Sequence, residues 1–388
     1  MVAPPSVPLS QATVRAGIVE FAIGQPDPTL LPADALGEAT NRALQRFGGD
    51  AVGYGAEAGP GPLLDWLREH LGRIDARAPE PAGLMTTAGN SHGLDLVANV
   101  FARAGDVALV EVPTYHLALG ILRDRGLELV GVATDEVGLR PDAVREAIAR
   151  VEAAGRRVSL LYTIPTFGNP TGRTMPVERR REIAAVAAEH RFVVAEDDVY
   201  RELSFGDPAP PSIGALDQDG WVLRMGSFSK SLAPGLRLGW LSGHAARIRT
   251  LLDSGLLVSG GGLNPITALA VAEFAASGAY EPNVEHLRRT YRSRRDALVA
   301  ALRDALPDAT FEVPAGGYFV WLRLPGRLDS GELYPGAEGA GLTYVPGRAF
   351  DASGTLDPSW LRLSFARYGA EELALGARRL GDLVASWR

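Results

Sequence analysis

The segment WVLRMGSFSKSLAPGLR, residues 221–237, passes from a short apolar run into a loop rich in serine, glycine and proline. Lys230 stands in that loop, with Ser227 and Ser229 just before it and Arg237 after it. A lysine amine condenses with aldehydes, and two small hydroxyls with a fixed arginine suit a phosphate dianion. A surface lysine in a Ser/Gly loop is the alternative for this segment alone, so the choice depends on the rest of the chain.

Outward from this segment, the chain alternates between short apolar runs and helical patterns. The runs at 107–110, 158–162 and 192–195 are rich in Val and Leu, whereas residues 63–71 and 93–103 carry apolar side chains at helical spacing. Strands that are apolar on both faces and alternate with helices imply a mostly parallel sheet covered on both sides. We therefore predict an α/β fold in which the loop of Lys230 follows a strand of that sheet.

Length, composition and charge exclude several classes of protein. The chain has 388 residues, of which 46% are hydrophobic and 22% charged, so a folded protein of two domains is expected. The net charge of −7 argues against a nucleic-acid partner. With no cysteine there are neither disulfides nor thiolate ligands, and we expect no metal site. Residues 1–10 lack the features of a secretory signal and no run reaches the length of a membrane span, so the simplest location is the cytoplasm, with no membrane partner.

The character of the chain changes after about residue 280. A long helix rich in arginine follows, which we interpret as a solvated helix face rather than a nucleic-acid surface, because Glu285 and Asp296 are interspersed in it. Beyond it, the chain alternates over 311–324 as a strand pair would and ends in a helical pattern over 370–387. The predicted units are an N-terminal arm with part of a small domain over 1–50, a large cofactor-binding domain over 51–280, and a smaller α+β C-terminal domain over 281–388.

A phosphate-bearing aldehyde that suits Lys230 is pyridoxal 5'-phosphate, and residues after two other strands fit its ring. Ligands of open α/β sheets sit outside the carboxyl ends of the strands. Asp197, after the run at 192–195, suits a protonated ring nitrogen, and Tyr200 suits the phenolic oxygen. Asn169, before Pro170, suits the same oxygen, and we predict a cis bond between these two residues. A loop or cap role for Asp197 and a plain turn at Asn169 are the alternatives.

Two further segments suit the same cofactor. Asn90 and Ser91 open a helix, where unpaired N–H groups and the helix dipole favour a phosphate. Tyr115 follows the run at 107–110 and suits offset stacking on the cofactor ring. Helix caps and a core aromatic are the respective alternatives.

Taken together, these motifs resemble the aspartate-aminotransferase superfamily, the fold-type I pyridoxal-phosphate enzymes of class I/II. The chain looks most like the 2-aminoadipate and kynurenine aminotransferase branch, from Phe21 to the C-terminus. The resemblance implies the aspartate-aminotransferase fold, with a seven-stranded type of sheet in the large domain, and a homodimer with shared active sites. The residues that match the catalytic positions of the family are Lys230, Asp197 and Tyr115. Those that match its cofactor contacts are Asn90, Ser91, Tyr115, Asn169, Asp197, Tyr200, Ser227, Ser229, Lys230, Arg237 and, reaching the partner subunit's phosphate, Tyr54.

The resemblance also implies a substrate site. Arg362 matches the arginine that binds the substrate carboxylate, in line with the forked geometry of a guanidinium on a carboxylate. Gly24 and Asn169 match the residues beside that carboxylate. Other positions depart from the pattern or add charge near the expected pocket, and they leave the amino acid open; they are His92, His116, Gly260–Gly262, Arg348 and Arg367.

The resemblance implies that the protein moves an amino group from an L-amino acid to a 2-oxo acid by a ping-pong mechanism. Biosynthetic enzymes of the same fold that carry out elimination, replacement, cyclisation or oxidation are the first alternative. A regulator-like domain that binds the cofactor without catalysis is the second. Related domains occur behind a helix-turn-helix, but only about twenty residues precede Phe21, too few for that module.

Overall fold

The structure, a computed structural model, describes residues 14–260 and 262–387. The first part of the predicted N-terminal arm, and Gly261 of the predicted glycine loop, lie outside these residues. The strands are β1 (Val19–Glu20), β2 (Leu84–Thr87), β3 (Val107–Val112), β4 (Glu128–Asp135), β5 (Gly138–Leu139), β6 (Val158–Thr163), β7 (Val193–Asp197), β8 (Val222–Ser227), β9 (Gly239–Ser242), β10 (Thr310–Phe311), β11 (Phe319–Arg323), β12 (Leu342–Thr343), β13 (Val345–Pro346) and β14 (Trp360–Ser364).

The α-helices cover both faces of the largest sheet and extend into the C-terminal part of the chain. They are α1 (Ala33–Phe47), α2 (Gly61–Asp75), α3 (Asn90–Phe101), α4 (His116–Asp124), α5 (Pro141–Ala153), α6 (Val177–His190), α7 (Ile213–Leu216), α8 (Ala245–Leu252), α9 (Gly255–Gly260), α10 (Pro265–Ala276), α11 (Tyr280–Ala305), α12 (Ser330–Gly339) and α13 (Ala370–Ser386). Across the described residues, no helix combines the length and the apolar character that crossing a membrane requires.

The largest sheet has the strand order β2-β9-β8-β7-β6-β3-β4-β5. Strands β8, β7, β6, β3 and β4 are parallel, β9 is antiparallel to both its neighbours, and the two-residue β5 turns back on β4. Every residue of β6 and β7 is buried, which is the pattern of parallel strands covered on both faces. The predicted α/β class is therefore confirmed, with β5 as a short addition to the seven strands.

The C-terminal part of the chain forms an antiparallel sheet of order β10-β11-β14-β13, and β1 pairs with β12. The predicted strand pair over 311–324 is present as β10 and β11, and the last helix is α13. One apolar cluster joins β11, β14, α11 and α13 through residues such as Leu322, Leu363, Leu298 and Leu380. Helix α11 begins at residue 280, but the division of the chain into domains stays a prediction.

The ends of the central strands prepare the site. Strand β7 runs to Asp197 and β8 runs to Ser227, so both residues complete a strand instead of following it. The carboxyl ends of β6, β7 and β8 meet at one edge because these strands are parallel and adjacent. The predicted cis peptide between Asn169 and Pro170 is confirmed, and a second one, between Val112 and Pro113, was not predicted.

Candidate active site

A cavity of about 520 Å³ opens at the carboxyl ends of these strands. All predicted site residues except Tyr54 line it; they are Gly24, Asn90, Ser91, Tyr115, Asn169, Asp197, Tyr200, Ser227, Ser229, Lys230, Arg237 and Arg362. Eight further residues line the cavity, and of these only His116 was named from the sequence. They are Ala22, Gln25, His116, Ile164, Val199, Pro234, Gly235 and Phe319.

Lys230 lines this cavity, and its side chain is in contact with residues from distant parts of the chain. Its Nζ donates to the carbonyl oxygen of Gly24 at 2.9 Å and lies 5.2 Å from the centroid of the Tyr318 ring. Burial, the nearby Arg362 and, more weakly, Arg237 lower the pKa of the Lys230 amine to about 8, although Asp197 opposes this shift. The shift from 10.5 raises the neutral share of this amine at pH 7 from roughly one in three thousand to roughly one in ten, and the neutral form is the one that acts as a nucleophile or a general base.

Asp197 is buried and accepts a hydrogen bond on each carboxylate oxygen. Nδ2 of Asn90 donates to Oδ1 at 2.8 Å, and the hydroxyl of Tyr162 donates to Oδ2 at 2.7 Å. Burial raises the pKa of Asp197 to about 6, although both hydrogen bonds oppose that rise. A cation placed beside this buried carboxylate would be strongly favoured. The side chain of Asn90, expected at the phosphate, therefore serves Asp197 instead, and what Asn90 offers a phosphate is its backbone N–H.

The opposite end of the cavity has the character of an anion site. Helix α3 begins after Gly89, which has a φ of 86° and supplies no side-chain cap to the first N–H groups. The hydroxyls of Ser227 and Ser229 lie 2.9 Å apart, and Arg237 reaches across to Ala88 at 3.5 Å. A Cβ built on Gly89 would lie 2.8 Å from Nη2 of Arg237. Hydroxyls, backbone N–H groups and a guanidinium thus converge without a carboxylate between them.

Arg362 lies at a third end of the cavity, on β14. Its Nη1 donates to Oδ1 of Asn169 at 3.0 Å and its Nη2 donates to the carbonyl oxygen of Ala22 at 2.7 Å. The guanidinium carbon is 4.2 Å from the ring centroid of Phe319 and 5.2 Å from that of Phe350. Burial lowers the pKa of Arg362 to about 10. Within the described parts of the chain, no carboxylate is among the groups that shift the pKa of this buried cation, so a substrate carboxylate would supply the missing charge.

The aromatic residues differ in where they lie. Tyr200 is buried with its ring edge-on to Tyr318 and Phe319, and burial raises its pKa above the usual range. Tyr115 lines the cavity and meets the ring of His116 edge-on at 5.5 Å. Tyr54 does not line the cavity and is 90% exposed, so its role at a partner subunit stays a prediction.

Three of the residues noted as departures prove not to line the cavity. The guanidinium of Arg348 packs against Gly331 at the start of α12, Arg367 is not among the lining residues, and His92 lies one turn into α3 with Nδ1 accepting from the N–H of Ala88. His116 does line it. Burial and the nearby Arg362 lower the pKa of His116 to about 3, so this imidazole is neutral at physiological pH.

Tyr162 is a functional residue that the sequence patterns missed. It lies inside the apolar run of β6, where the pattern predicts a core residue. Only its hydroxyl group indicates that it could also make a polar contact. Its contact to Asp197 joins two adjacent strands, and the local sequence carries no sign of that meeting. Tyr318, whose ring packs against the amine of Lys230, was also missed, because its local sequence does not indicate this distant contact.

Pyridoxal phosphate fits this donor set. Asp197 would hold the ring nitrogen, whose positive charge would compensate the buried carboxylate, and Ser91, Ser227, Ser229 and Arg237 would hold the phosphate in the same cavity as Lys230. Tyr115 and Tyr200 border the space between the two ends. With the ring nitrogen at Asp197 and the phosphate at Arg237, the cation that still needs a partner is Arg362, and a substrate carboxylate would supply it.

Comparisons with known proteins agree with this geometry. The model of the family Aminotransferase class I and II matches residues 16–380. The aromatic-amino-acid aminotransferase 1 of Thermococcus litoralis is 33% identical over 95% of this chain and 88% of its own length. The 2-aminoadipate transaminase of Thermus thermophilus is 35% identical over 96% of this chain and 91% of its own.

Among solved structures, a kynurenine aminotransferase of Pyrococcus horikoshii in complex with PMP superimposes with a TM-score of 0.90 at 31% identity, covering 96% of this chain and 92% of that one. Both the fold and the branch that the sequence motifs suggested are thereby confirmed. The chain belongs to the aminotransferase class I and II family and is a pyridoxal-phosphate-dependent enzyme that transfers amino groups.

Proposed function

We propose that Lys230 both holds the cofactor and moves the substrate proton, and that the donor is an L-amino acid with an uncharged side chain. The observation that carries this proposal is that each cationic side chain of the cavity already has one expected binding partner. Lys230, Arg237 and Arg362 are each placed for one anionic or electrophilic group, and no further Lys or Arg of the described chain lines the cavity.

Each residue then has a definable task. Arg362 binds the α-carboxylate in place, with Gly24 beside it, and so fixes the α-carbon relative to Lys230. When bound, pyridoxal phosphate supplies an electron sink for the charge that develops at the α-carbon. The neutral Lys230 amine takes the α-proton and later returns a proton. Asn169 and Tyr200 would hold the phenolic oxygen of the bound cofactor, and Asp197 would keep its ring nitrogen protonated.

The rest of the lining supports an uncharged donor. Ile164, Val199 and Phe319 are apolar, and His116 is neutral because of its lowered pKa. A second carboxylate on the substrate would lose its water without gaining a cation, which is costly. Aromatic and aliphatic amino acids gain apolar burial instead. The names of two relatives, an aromatic-amino-acid and a kynurenine aminotransferase, point the same way, whereas the name of the 2-aminoadipate transaminase points to a donor with a second carboxylate.

The test follows the visible absorbance of the bound cofactor while single amino acids are added. We expect phenylalanine and leucine to convert it to the amine form with release of the matching 2-oxo acid, and aspartate to do so at least about tenfold less efficiently. Release of ammonia or of a product that has lost a side-chain group would favour elimination or replacement instead. Lys230→Ala should abolish conversion and leave the far-UV circular dichroism unchanged.

We also propose that the protein works as a homodimer in which Tyr54 reaches the partner's site. Tyr54 is 90% exposed, and the exposed apolar residues Val52 and Leu256 are 68% and 62% accessible. Exposed apolar side chains mark a contact surface when they form one contiguous patch, and the proposal places these three residues in such a patch. A second subunit that covers them would bring Tyr54 out of water.

A further inference from the structure

Helix α11 contacts the loop of Lys230 directly at Ser231, through Tyr280 and Asn283, and indirectly through Tyr318. Oη of Tyr280, the first residue of this helix, lies 2.8 Å from Oγ of Ser231. Nδ2 of Asn283 donates to the carbonyl oxygen of Ser231 at 2.8 Å. The hydroxyl of Tyr318 donates to the carbonyl oxygen of Lys230 at 3.3 Å and also lies 3.3 Å from Oη of Tyr291, on the same helix. The lysine loop is thus held from one side by a helix that does not line the cavity.

A partly buried acid, Glu202, orients Tyr280. Tyr280 Oη lies 2.7 Å from Oε2 of Glu202, and Nε2 of His70 lies 2.7 Å from Oε1. His70, Tyr280 and Arg288 lower the pKa of Glu202 against its burial, so it is a carboxylate and accepts only. The single phenol hydrogen must therefore point to Glu202. The hydroxyl of Ser231 then donates to Tyr280. The direction of every hydrogen bond in the series of His70, Glu202, Tyr280 and Ser231 is thereby fixed.

The surroundings keep this series in place. The ring of Trp66 stacks on His70 at 4.7 Å and meets Tyr280 edge-on at 4.8 Å, and Phe228 of the lysine loop lies 6.1 Å from Tyr280. Tyr280 is only 1% exposed. On the solvent side, Arg73 lies 3.4 Å and Glu281 3.9 Å from Nδ1 of His70.

We propose that Tyr280, oriented by Glu202 and His70, is a positioning residue that fixes the main chain of Lys230 through Ser231. With the loop held, the amine stays against the carbonyl of Gly24 and close to the rings of Tyr318 and Tyr200. A loosened loop would let the amine reach water and regain its ordinary proton affinity. The significance of the series rests on the proposed function of Lys230, whereas its effect on the loop can be measured without turnover.

The test uses Tyr280→Phe, which removes one hydroxyl and keeps the ring, in the protein freed of its cofactor. Tyr344→Phe is the matched control, because its buried hydroxyl donates to the carbonyl oxygen of Ser330 at 2.7 Å in the C-terminal part of the chain. The first readout is amide hydrogen exchange of the peptide covering residues 226–232. The second is the pH midpoint for acylation of Lys230 by an amine-directed ester, read by peptide mass mapping.

For Tyr280→Phe we expect exchange of residues 226–232 to quicken about five- to tenfold, as loss of roughly one net hydrogen bond implies. The acylation midpoint should move upward from about 8 toward the ordinary value of 10.5. Ser231→Ala should give the same result from the loop side, and the double variant should add little, because both changes break one bond. Tyr344→Phe should leave both readouts unchanged.

The proposal is overturned if Tyr280→Phe and Ser231→Ala match Tyr344→Phe in both readouts, or if their effects simply add. A uniform rise in exchange over the whole chain would also overturn it, since that indicates loss of general stability only. Failure of the proposed function would appear differently. The unchanged protein would then transfer no amino group, while the loop measurements kept their values.

Discussion

Lys230 and Arg362 are cations that lie where burial disfavours their charge. Burial lowers the pKa of Lys230 to about 8 and that of Arg362 to about 10, and the charge of Arg362 adds to the shift at Lys230. Such groups reduce the stability of the folded protein unless a ligand compensates them. The same placement provides a neutral amine for catalysis and an unpaired guanidinium for a carboxylate.

We predict that Lys230→Met stabilises the cofactor-free protein at pH 7. Below pH 8 the amine is mostly protonated in both states, and the folded state bears the full cost of burying the charge, roughly 3 kcal/mol for the lowered pKa. Between pH 8 and 10.5 the unfolded chain keeps a proton that the folded chain has lost, so the stability of the unchanged protein rises with pH. In thermal unfolding, the melting temperature of the variant should exceed that of the unchanged protein at pH 7, and this difference should shrink between pH 8 and 10.5. A difference that stays constant with pH would contradict the prediction.

Arg362→Lys should raise KM for the amino-acid donor while leaving cofactor affinity close to normal. A lysine offers a point charge where the guanidinium forks between a carboxylate, Asn169 and Ala22. Loss of one charge-assisted bond, about 1.5–3 kcal/mol, corresponds to a fall of about 10- to 100-fold in kcat/KM. Steady-state kinetics with phenylalanine, beside a cofactor titration, would measure both. An unchanged kcat/KM would show that the carboxylate binds elsewhere.

At the scale of elements, the start of α3 shows how a helix and a neighbouring loop build one anion site. The helix supplies N–H groups without a side-chain cap, and Arg237, with a φ of 46°, crosses over Gly89. The close approach of Arg237 leaves no room for a Cβ at Gly89.

Gly89→Ala should therefore weaken binding of pyridoxal phosphate about tenfold or more, because Arg237 has to move. Gly105→Ala is the control, since Gly105 has a similar φ of 90° but nothing within 4 Å of its added Cβ. Both variants bear the strain of an L-residue at positive φ, about 1–2 kcal/mol, and should lose similar stability. Fluorescence titration with the cofactor separates them. Equal affinities for the two variants would remove Arg237 from the phosphate site.

At the scale of the whole molecule, the proposed homodimer can be tested by mixing two inactive variants. If Tyr54 serves the partner's site, then Lys230→Ala and Tyr54→Ala subunits complement each other when mixed. Each mixed dimer carries one intact site and one with both changes. Random pairing of equal amounts makes about half of the dimers mixed, so about a quarter of normal activity should return on mixing. No gain over the sum of the separate variants, with exchange of subunits verified by mass, would place Tyr54 outside the site.

Much of this architecture could be predicted from local patterns. The apolar runs at 107–110, 158–162 and 192–195 became β3, β6 and β7, because full burial of a parallel strand leaves an unbroken apolar signature. Strand ends were less clear, since Asp197 and Ser227 prolong their strands past the apolar run. Polar residues at a strand's end look like loop until the neighbouring strand is known.

The sequence by itself determined the alternation of strands and helices, the lysine with its serines and arginine, and the presence of an acid and an asparagine near the ends of other strands. These features depend on side-chain chemistry and on spacing within ten or so residues. Only the tertiary structure decided which distant residues meet: Lys230 with Gly24, Arg362 with Asn169, Tyr162 with Asp197, and Tyr280 with Ser231. It also separated His116, inside the cavity, from Arg348 and Arg367. The physical reason is that such meetings follow from strand order and from how whole helices bury their apolar faces, and no single segment encodes these.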